Sequence, residues 1–486
     1  MSTGWKVFAW VCFAALIYFP VFLHLGSQPI VTWDESLFAL RALYMYDTGE
    51  YMINFNQFEG LSNHMNTKLP FTTFFQVLGL KIFGVNELGV RLPIVLLFLG
   101  LSAWVYAFFK KQLQTGSIAI IFVLFLLVNY NFVGDHMLRT GNQDVPFAMY
   151  LLLGVLYFWK YTEALKWRYL LLFCFFIIAA LLTKNLLALI ILPGLFLFIL
   201  VKKERFLMVM KNYKTYLAMV IIGMVYICTI GYYEWQYPGF FQRMWDYELM
   251  GRYSETIEGH SGGLMYYIDL YFKHGFLKIG YIILLGLFPL LDKNASPKVK
   301  RLLTLLFLVF ISYLVFITLS ATKTTWYIAP LYPIGTLIAA IGGVHFYKHY
   351  FLTALLPVKV LLATVLFFMF FDNYYNVIMT VYKEEPLERE QFYSAYLKND
   401  QGELGDSFNI IDSGFGTSVY FTKEKFNRKG DYNITFHKKF NSLTFPAKVL
   451  TCSHQEIKHI ETHFHYQLIN DQTRYCRSYL ITGVKD

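Results

Sequence analysis

Two adjacent carboxylates, Asp34 and Glu35, stand in Val31-Thr32-Trp33-Asp34-Glu35, just past the first long apolar run. A charge at a membrane boundary is costly unless it is solvated, paired or used, so packing is a poor explanation for two in a row. A carboxylate here can take a proton from an attacking hydroxyl, as a general base does, or hold an acceptor group in place. Asp34 is the first candidate for that role and Glu35 the second. The bland alternative is that Asp34 caps the stretch that follows, in which Leu37, Leu40, Leu43 and Tyr44 have the spacing of an interfacial helix.

Groups suited to a phosphate recur further along. Lys68, in Asn63-His64-Met65-Asn66-Thr67-Lys68-Leu69-Pro70, is a compact cation that neutralises a phosphate at the bilayer surface or else snorkels there. Arg139 and Asp144 lie in the polar segment 134–146 between two apolar runs, and Arg139 offers the planar fork that matches a phosphate. Lys184, in Thr183-Lys184, interrupts a long apolar run and must face protein or a polar cavity; Lys323 is a similar case. Asp144, Glu248, Arg252, His260 and Tyr327 complete the set as candidate substrate contacts. His260 is a weak metal-ligand candidate, because no HExxH or paired histidine spacing supports it. Tyr266 and Tyr267 read as an interfacial aromatic belt.

These residues need elements to hold them, and composition says what kind. Of 486 residues 56% are hydrophobic, 19% aromatic and only 15% charged, whereas soluble domains carry about 25% charged residues. The chain is read as an integral membrane protein. Its net charge of +10 does not indicate nucleic acid, since Lys and Arg gather in short clusters between apolar runs rather than in one basic stripe. Those clusters, at Lys110-Lys111, Lys160 to Arg168, Lys202 to Lys214, Lys293 to Arg301 and Lys348, mark cytoplasmic loops. Spans then fall at about 5–25, 87–109, 117–134, 144–160, 167–183, 185–202, 213–234, 275–292, 301–320, 325–345 and 350–371. The run 5–25 lacks a small-residue cleavage site and reads as a retained span rather than a signal peptide. The apolar stretch 69–83 is read as an interfacial helix, because a span there would put Lys110-Lys111 outside.

The expected fold is therefore mainly α: a polytopic transmembrane helix bundle of about 11–13 spans, with outer-face interfacial helices and a small C-terminal α/β soluble domain. Residues 1–375 form the membrane part, with outer loops at about 26–86 and 235–274, and residues 376–486 the outer C-terminal domain. In that tail 408–411, 418–421, 447–450 and 466–469 read as strands and 391–398 as a helix. Cys12, Cys174 and Cys228 lie in apolar spans; Cys452 and Cys476 lie in the tail, where they either pair or stay free. On this map the carboxylate pair, Lys68, the 134–146 segment, Lys184, the 234–274 loop and Lys323 all reach one outer face.

The same motifs, in this order, resemble the GT-C class of membrane glycosyltransferases, near the protein O-mannosyltransferases and the lipid A aminoarabinose transferases. The resemblance rests on Asp34-Glu35 after the first span, Lys68-Leu69-Pro70, Arg139-Thr140 with Asp144, Thr183-Lys184-Asn185, Glu248 to Arg252 followed by His260, and Ser320, Lys323, Tyr327 and Pro330. It implies inverting transfer of a hexose or pentose from a polyprenyl-phosphate donor, of undecaprenyl or dolichyl type, to a lipid, glycan or protein acceptor on the non-cytoplasmic face. In that reading Asp34 is the base, with Lys68, Arg139, Lys184 and Lys323 at the donor phosphate. Thr67 stands where the aminoarabinose transferases place a glutamate implicated in metal binding, Leu37 where they often carry an arginine, and Asn185 where a glycine is usual. The metal requirement therefore stays open.

No GxxxxGK[ST] loop, Rossmann fingerprint or CxxC pair is present, so no nucleotide cofactor is expected. Three other readings share parts of this pattern: a lipid-linked-sugar transporter, for which no internal repeat is seen; a polysaccharide ligase or polymerase; and a non-catalytic envelope assembly factor docking through the tail. The expected location is a bacterial inner membrane with the site and tail on the periplasmic side.

Overall fold

The computed structural model describes residues 3–52, 67–134, 136–201, 203–274, 279–382, 388–400, 402–470 and 475–485. The Asn63 to Asn66 part of the lysine motif and the charged run around Pro386 fall outside them.

Helices dominate, because apolar runs in a membrane protein must satisfy their own backbone hydrogen bonds. Among the described residues six helices are long and apolar enough to cross a membrane: Glu87–Leu113, Trp167–Val201, Tyr213–Gln236, Pro297–Leu319, Thr325–Phe351 and Leu356–Tyr382. Shorter apolar helices run over Val7–Val21, Thr73–Phe83, Ser117–Leu127 and Gly280–Leu291. The expected span at 144–160 is the helix Asp144–Ala164, nearly every residue of which is buried against other helices. The segment Thr325–Phe351 lies in the centre of the bundle, with 89% of its apolar window buried, whereas only 6% of that of Leu356–Tyr382 is buried, so this helix forms the outer edge.

Four helices position the candidate site from the N-terminal side: α1 (Thr3–Val21), α2 (Asp34–Thr48), α3 (Thr73–Phe83) and α4 (Glu87–Leu113). α2 is buried against other elements over most of its surface. Leu40 and Leu43 are fully buried, and so are Phe38, Ala39, Arg41 and Ala42 around the rest of the cylinder. It is held between α3 and the C-terminal helix Thr417–Lys429. α3 in turn presses on α4 at Gly79, where an added Cβ would come within 2.1 Å of the Gly89 carbonyl oxygen, so only glycine allows that approach.

The C-terminal region carries a five-stranded sheet of order β2-β1-β3-β5-β4, from β1 (Ser407–Ile411), β2 (Asn433–His437), β3 (Ala447–Thr451), β4 (Phe464–Asn470) and β5 (Arg477–Val484). β1 pairs in parallel with β2 and β3, while β5 is antiparallel to β3 and β4. Cys452 and Cys476 form a disulfide just beyond β3. The expected helix appears as Gln391–Asn399, but the expected strand at 418–421 is the start of the helix Thr417–Lys429. A short apolar run suits a buried helix as well as a strand. Here Gly430, at φ 78°, closes thirteen helical residues whose Val419, Tyr420 and Phe421 are buried.

This region is bolted to the turn at Ser27 and Pro29, to α2 and to the start of α4. Lys425 donates to Glu87 at 2.5 Å in a buried pair, and Arg428 pairs with Asp47 at 2.8 Å. Lys398 donates to the Ser27 carbonyl, and Gln391 to that of Pro29.

Candidate active site

Asp34 opens α2 after Trp33, whose backbone sits at φ 70°, ψ −121°. Trp33 holds the N-cap position, without a side-chain capping hydrogen bond, and Asp34 is the first helical residue, so the capping alternative fails. Instead both carboxylate oxygens lie 3.3 Å from Lys68 Nζ. Lys68 is held from behind by Arg41, whose guanidinium donates to the Lys68 carbonyl at 2.7 Å. Residues seven apart share a helix face, so α2 supplies both the carboxylate and the group that anchors its partner. Burial pushes the Asp34 carboxyl up, but the charges of Lys68, His136 and Lys184 outweigh it and hold it down at about 2. Burial pulls the Lys68 ammonium down, and Asp34 with Glu248 more than compensates, so it is raised above its ordinary value.

Glu35, one residue on, is fully buried and points the other way. Its oxygens take Arg91 Nε at 2.7 Å and a second guanidinium nitrogen at 2.9 Å, together with the backbone N–H groups of Val31 and Gly141, each at 2.8 Å. Arg91 also donates to the carbonyls of Leu25, Gln28 and Pro29. Glu35 thus ties α2, α4, the 25–31 turn and the 134–146 segment together, and does not line the cavity.

A cavity of about 720 Å³ opens beside Asp34. Its charged lining comprises Asp34, Glu248, Glu258, Lys68, Lys184, Arg243 and Arg252, and its rings include Trp33, His136, Tyr247, His260, Trp326, Tyr327 and Phe415. Lys184 Nζ donates to Asp144 at 2.5 Å in a buried pair, so Asp144 supports the lysine from behind rather than facing the cavity. Asn185, at φ 51°, donates to the Thr67 carbonyl at 2.6 Å, and Thr67 donates to Glu248 at 2.6 Å. Two of the residues that depart from the family pattern thereby link the two lysine motifs. Arg252 lies 3.6 Å from Glu248, donates to the Tyr327 hydroxyl at 2.7 Å, and sits 4.9 Å over the Tyr247 ring.

Two expected phosphate ligands do not reach this cavity. Arg139 donates to the carbonyls of Pro20, Val21 and Leu23, closing the end of α1, where carbonyls lose their helical partners. Lys323 donates to the carbonyls of Thr318 and Ser320 at the end of Pro297–Leu319 in the same manner. Its backbone N–H donates to the His260 carbonyl, so it supports the loop that carries His260. Tyr267 is fully buried with its hydroxyl accepting from the Thr324 N–H, which excludes it from an interfacial belt.

His260 faces the cavity 3.9 Å from Glu258, which is itself bonded by the Tyr247 hydroxyl. Among the described residues no three or more His, Cys, Asp or Glu side chains come together as a metal-ligand set. Beside the charged cavity lies a second, mainly apolar one of about 540 Å³, lined by Leu186, Tyr226, Ile227, Ile230 and Met244 among others. Arg243 lines the first, and its neighbours Gln242 and Met244 line the second.

Sequence reasoning missed Arg41, Arg91, Glu258, Trp326 and Phe415. Arg41 had a readable signal in its seven-residue distance from Asp34 on a helix, and Glu258 and Trp326 stand beside the candidates His260 and Tyr327. Arg91 and Phe415 are brought in by elements remote in sequence.

Residues 67–233 match the family model described as dolichyl-phosphate-mannose-protein mannosyltransferase. An uncharacterized protein of Aquifex aeolicus (strain VF5) is 30% identical over 161 residues, a match that spans 33% of this chain and about a third, 31%, of that protein's length. In structure, the chain is similar to ArnT from Cupriavidus metallidurans bound to undecaprenyl phosphate, with a TM-score of 0.69 and 15% identity over 99% of this chain and 98% of that one. It is also similar to the archaeal oligosaccharyltransferase AglB from Archaeoglobus fulgidus in complex with an inhibitory peptide and a dolichol-phosphate, with a TM-score of 0.54 and 10% identity over 99% of this chain and 75% of that one. The chain has the ArnT-like fold, and the resemblance to the GT-C glycosyltransferases extends from its motifs to its architecture.

Proposed function

We propose that this chain is a membrane glycosyltransferase that moves a hexose or pentose from a polyprenyl-phosphate donor to a lipid, glycan or protein acceptor, with inversion at the anomeric carbon. The observation that carries the reading is one cavity in which the Asp34–Lys68 pair meets Lys184 and Arg252 next to an apolar groove. The cations suit an anionic phosphate, and the groove suits the first units of an isoprenoid chain. Clustered positive loops and a disulfide in the C-terminal region support an outer-face, periplasmic site in a bacterial inner membrane.

In the reaction so read, the acceptor hydroxyl attacks the anomeric carbon opposite the phosphate, the bond to the phosphate oxygen breaks, and the hydroxyl proton passes to Asp34. Lys68, Lys184 and Arg252 stabilise the charge that develops on the departing phosphate. At rest Asp34 is a weak base because Lys68 holds it ionised. A phosphate that draws Lys68 toward itself relieves that hold, and burial then raises the proton affinity of Asp34 when the donor is in place. Glu35, Arg139 and Lys323 have no part in these steps, since their charges are committed to the fold.

Binding of undecaprenyl phosphate to the purified full-length protein tests this reading. Lys68→Met is expected to weaken it about tenfold or more, the effect of losing a charge-assisted hydrogen bond. Equal binding by both proteins would remove the phosphate assignment, and mass spectrometry of glycolipids and glycoproteins from a deletion strain would identify the sugar transferred.

A further inference from the structure

One wall of the cavity is aromatic and comes from two distant parts of the chain. Trp33 and Phe415 stack with ring centroids 4.3 Å apart at 25°, and both line the cavity. A stack that served only to join the C-terminal region to the bundle would be buried. Trp33 instead keeps 54% of its surface exposed.

Both rings are held with unusual care. Trp33 is a bulky residue at φ 70°, a conformation that persists only where its surroundings impose it. Those surroundings are contacts on either side: the Thr32 N–H donates to Glu388 at 2.8 Å, and the Ser36 and Thr417 hydroxyls lie 2.5 Å apart. Phe415 sits in the turn between β1 and the helix Thr417–Lys429. Lys438 donates to its carbonyl at 2.9 Å, and the neighbouring Gly416 N–H donates to Glu390 at 3.0 Å.

We propose that Trp33 and Phe415 form a stacking platform for the sugar ring of the donor, so that the C-terminal region contributes directly to donor recognition. This rests on the polyprenyl-phosphate reading above. Trp33 precedes Asp34 in the chain, Asp34 meets Lys68 at 3.3 Å, and all three line one cavity with Phe415, so a sugar whose anomeric oxygen is a phosphate oxygen near Lys68 shares that cavity with the aromatic wall. The apolar C–H face of a pyranose suits such a wall, which offers large contact area with little side-chain freedom to lose.

The test compares affinities of the purified full-length protein for undecaprenyl phosphate and for undecaprenyl phosphate carrying mannose or glucose. Wild type is expected to bind at least one sugar-bearing carrier about tenfold more tightly than the bare one, the scale of one good aromatic contact. Phe415→Leu, which keeps apolar bulk but removes the ring, is expected to bring that ratio close to one with bare-carrier affinity unchanged, and Phe415→Tyr to keep it. An unchanged ratio in Phe415→Leu, or no preference for either sugar in wild type, overturns the platform. Failure of wild type to bind undecaprenyl phosphate at all overturns the underlying reading instead. If Phe415→Leu loses bare-carrier binding as well, the ring's role is structural and the platform is again refuted.

Discussion

Asp34 and Glu35 are the same chemistry one residue apart, yet they end in opposite surroundings. Asp34 meets Lys68 at 3.3 Å on the wall of an open cavity, with side-chain exposures of 21% and 18%. Glu35 meets Arg91 at 2.7 Å in the interior and has its oxygens filled by backbone N–H groups as well. The first pair is loose and faces space that a substrate can enter. The second is saturated, so any change of partner leaves a buried charge. An ion pair is therefore read as functional or structural from what else its atoms touch.

The largest expected effect comes from breaking the interior pair. Arg91→Met leaves Glu35 charged and buried, which destabilises by about 3–5 kcal/mol. Thermal unfolding in detergent measures this, and a melting curve like that of wild type would show that the interior pair is dispensable. Next comes Asp34→Asn, expected to lower transfer by a hundredfold to ten-thousandfold, the usual worth of a general base, with a smaller loss of thermal stability than Arg91→Met because Lys68 loses its partner at a half-open site. Full activity in that variant would take Asp34 out of the mechanism.

The subtlest effect is in pH dependence. The Asp34 carboxyl is held at about 2, below its ordinary 3.8, so the stability it contributes is complete above 3.8 and is lost as pH falls toward 2. kcat/KM of the wild type should accordingly show no acid limb from Asp34 down to about pH 4. Lys68→Met removes the foremost charge that holds it down and leaves His136 and Lys184 against burial, so the acid limb should move to higher pH than in the wild type. Superimposable profiles for the two proteins would mean that Lys68 does not govern Asp34.

Much of this was legible in advance. Apolar runs, basic clusters and the order of the motifs pointed to a helix bundle and to Asp34, Lys68, Lys184, Glu248, Arg252, His260 and Tyr327, all of which line one cavity. Arg139 and Lys184 show the limit. Each is a cation beside an apolar run, but Arg139 turns back onto the carbonyls of α1 while Lys184 faces the cavity with Asp144 behind it. Nothing in their local sequence distinguishes the two outcomes, because the choice depends on which helix end stands nearby. The run 418–421 failed for a related reason: its apolar pattern fits two kinds of element, and docking against α2 goes with the helix.

What the sequence determined on its own is what short-range physics governs. A helix satisfies its backbone within itself, so length and hydropathy suffice to place it. Tertiary structure alone decided which carboxylate would face the cavity. Successive helix residues turn by about 100°, which sends Asp34 and Glu35 to different sides, but only the packing of α3, α4 and the C-terminal region makes one side a cavity and the other a core. Phe415 belongs wholly to that second category, since it joins Trp33 through contacts between segments that the chain keeps far apart.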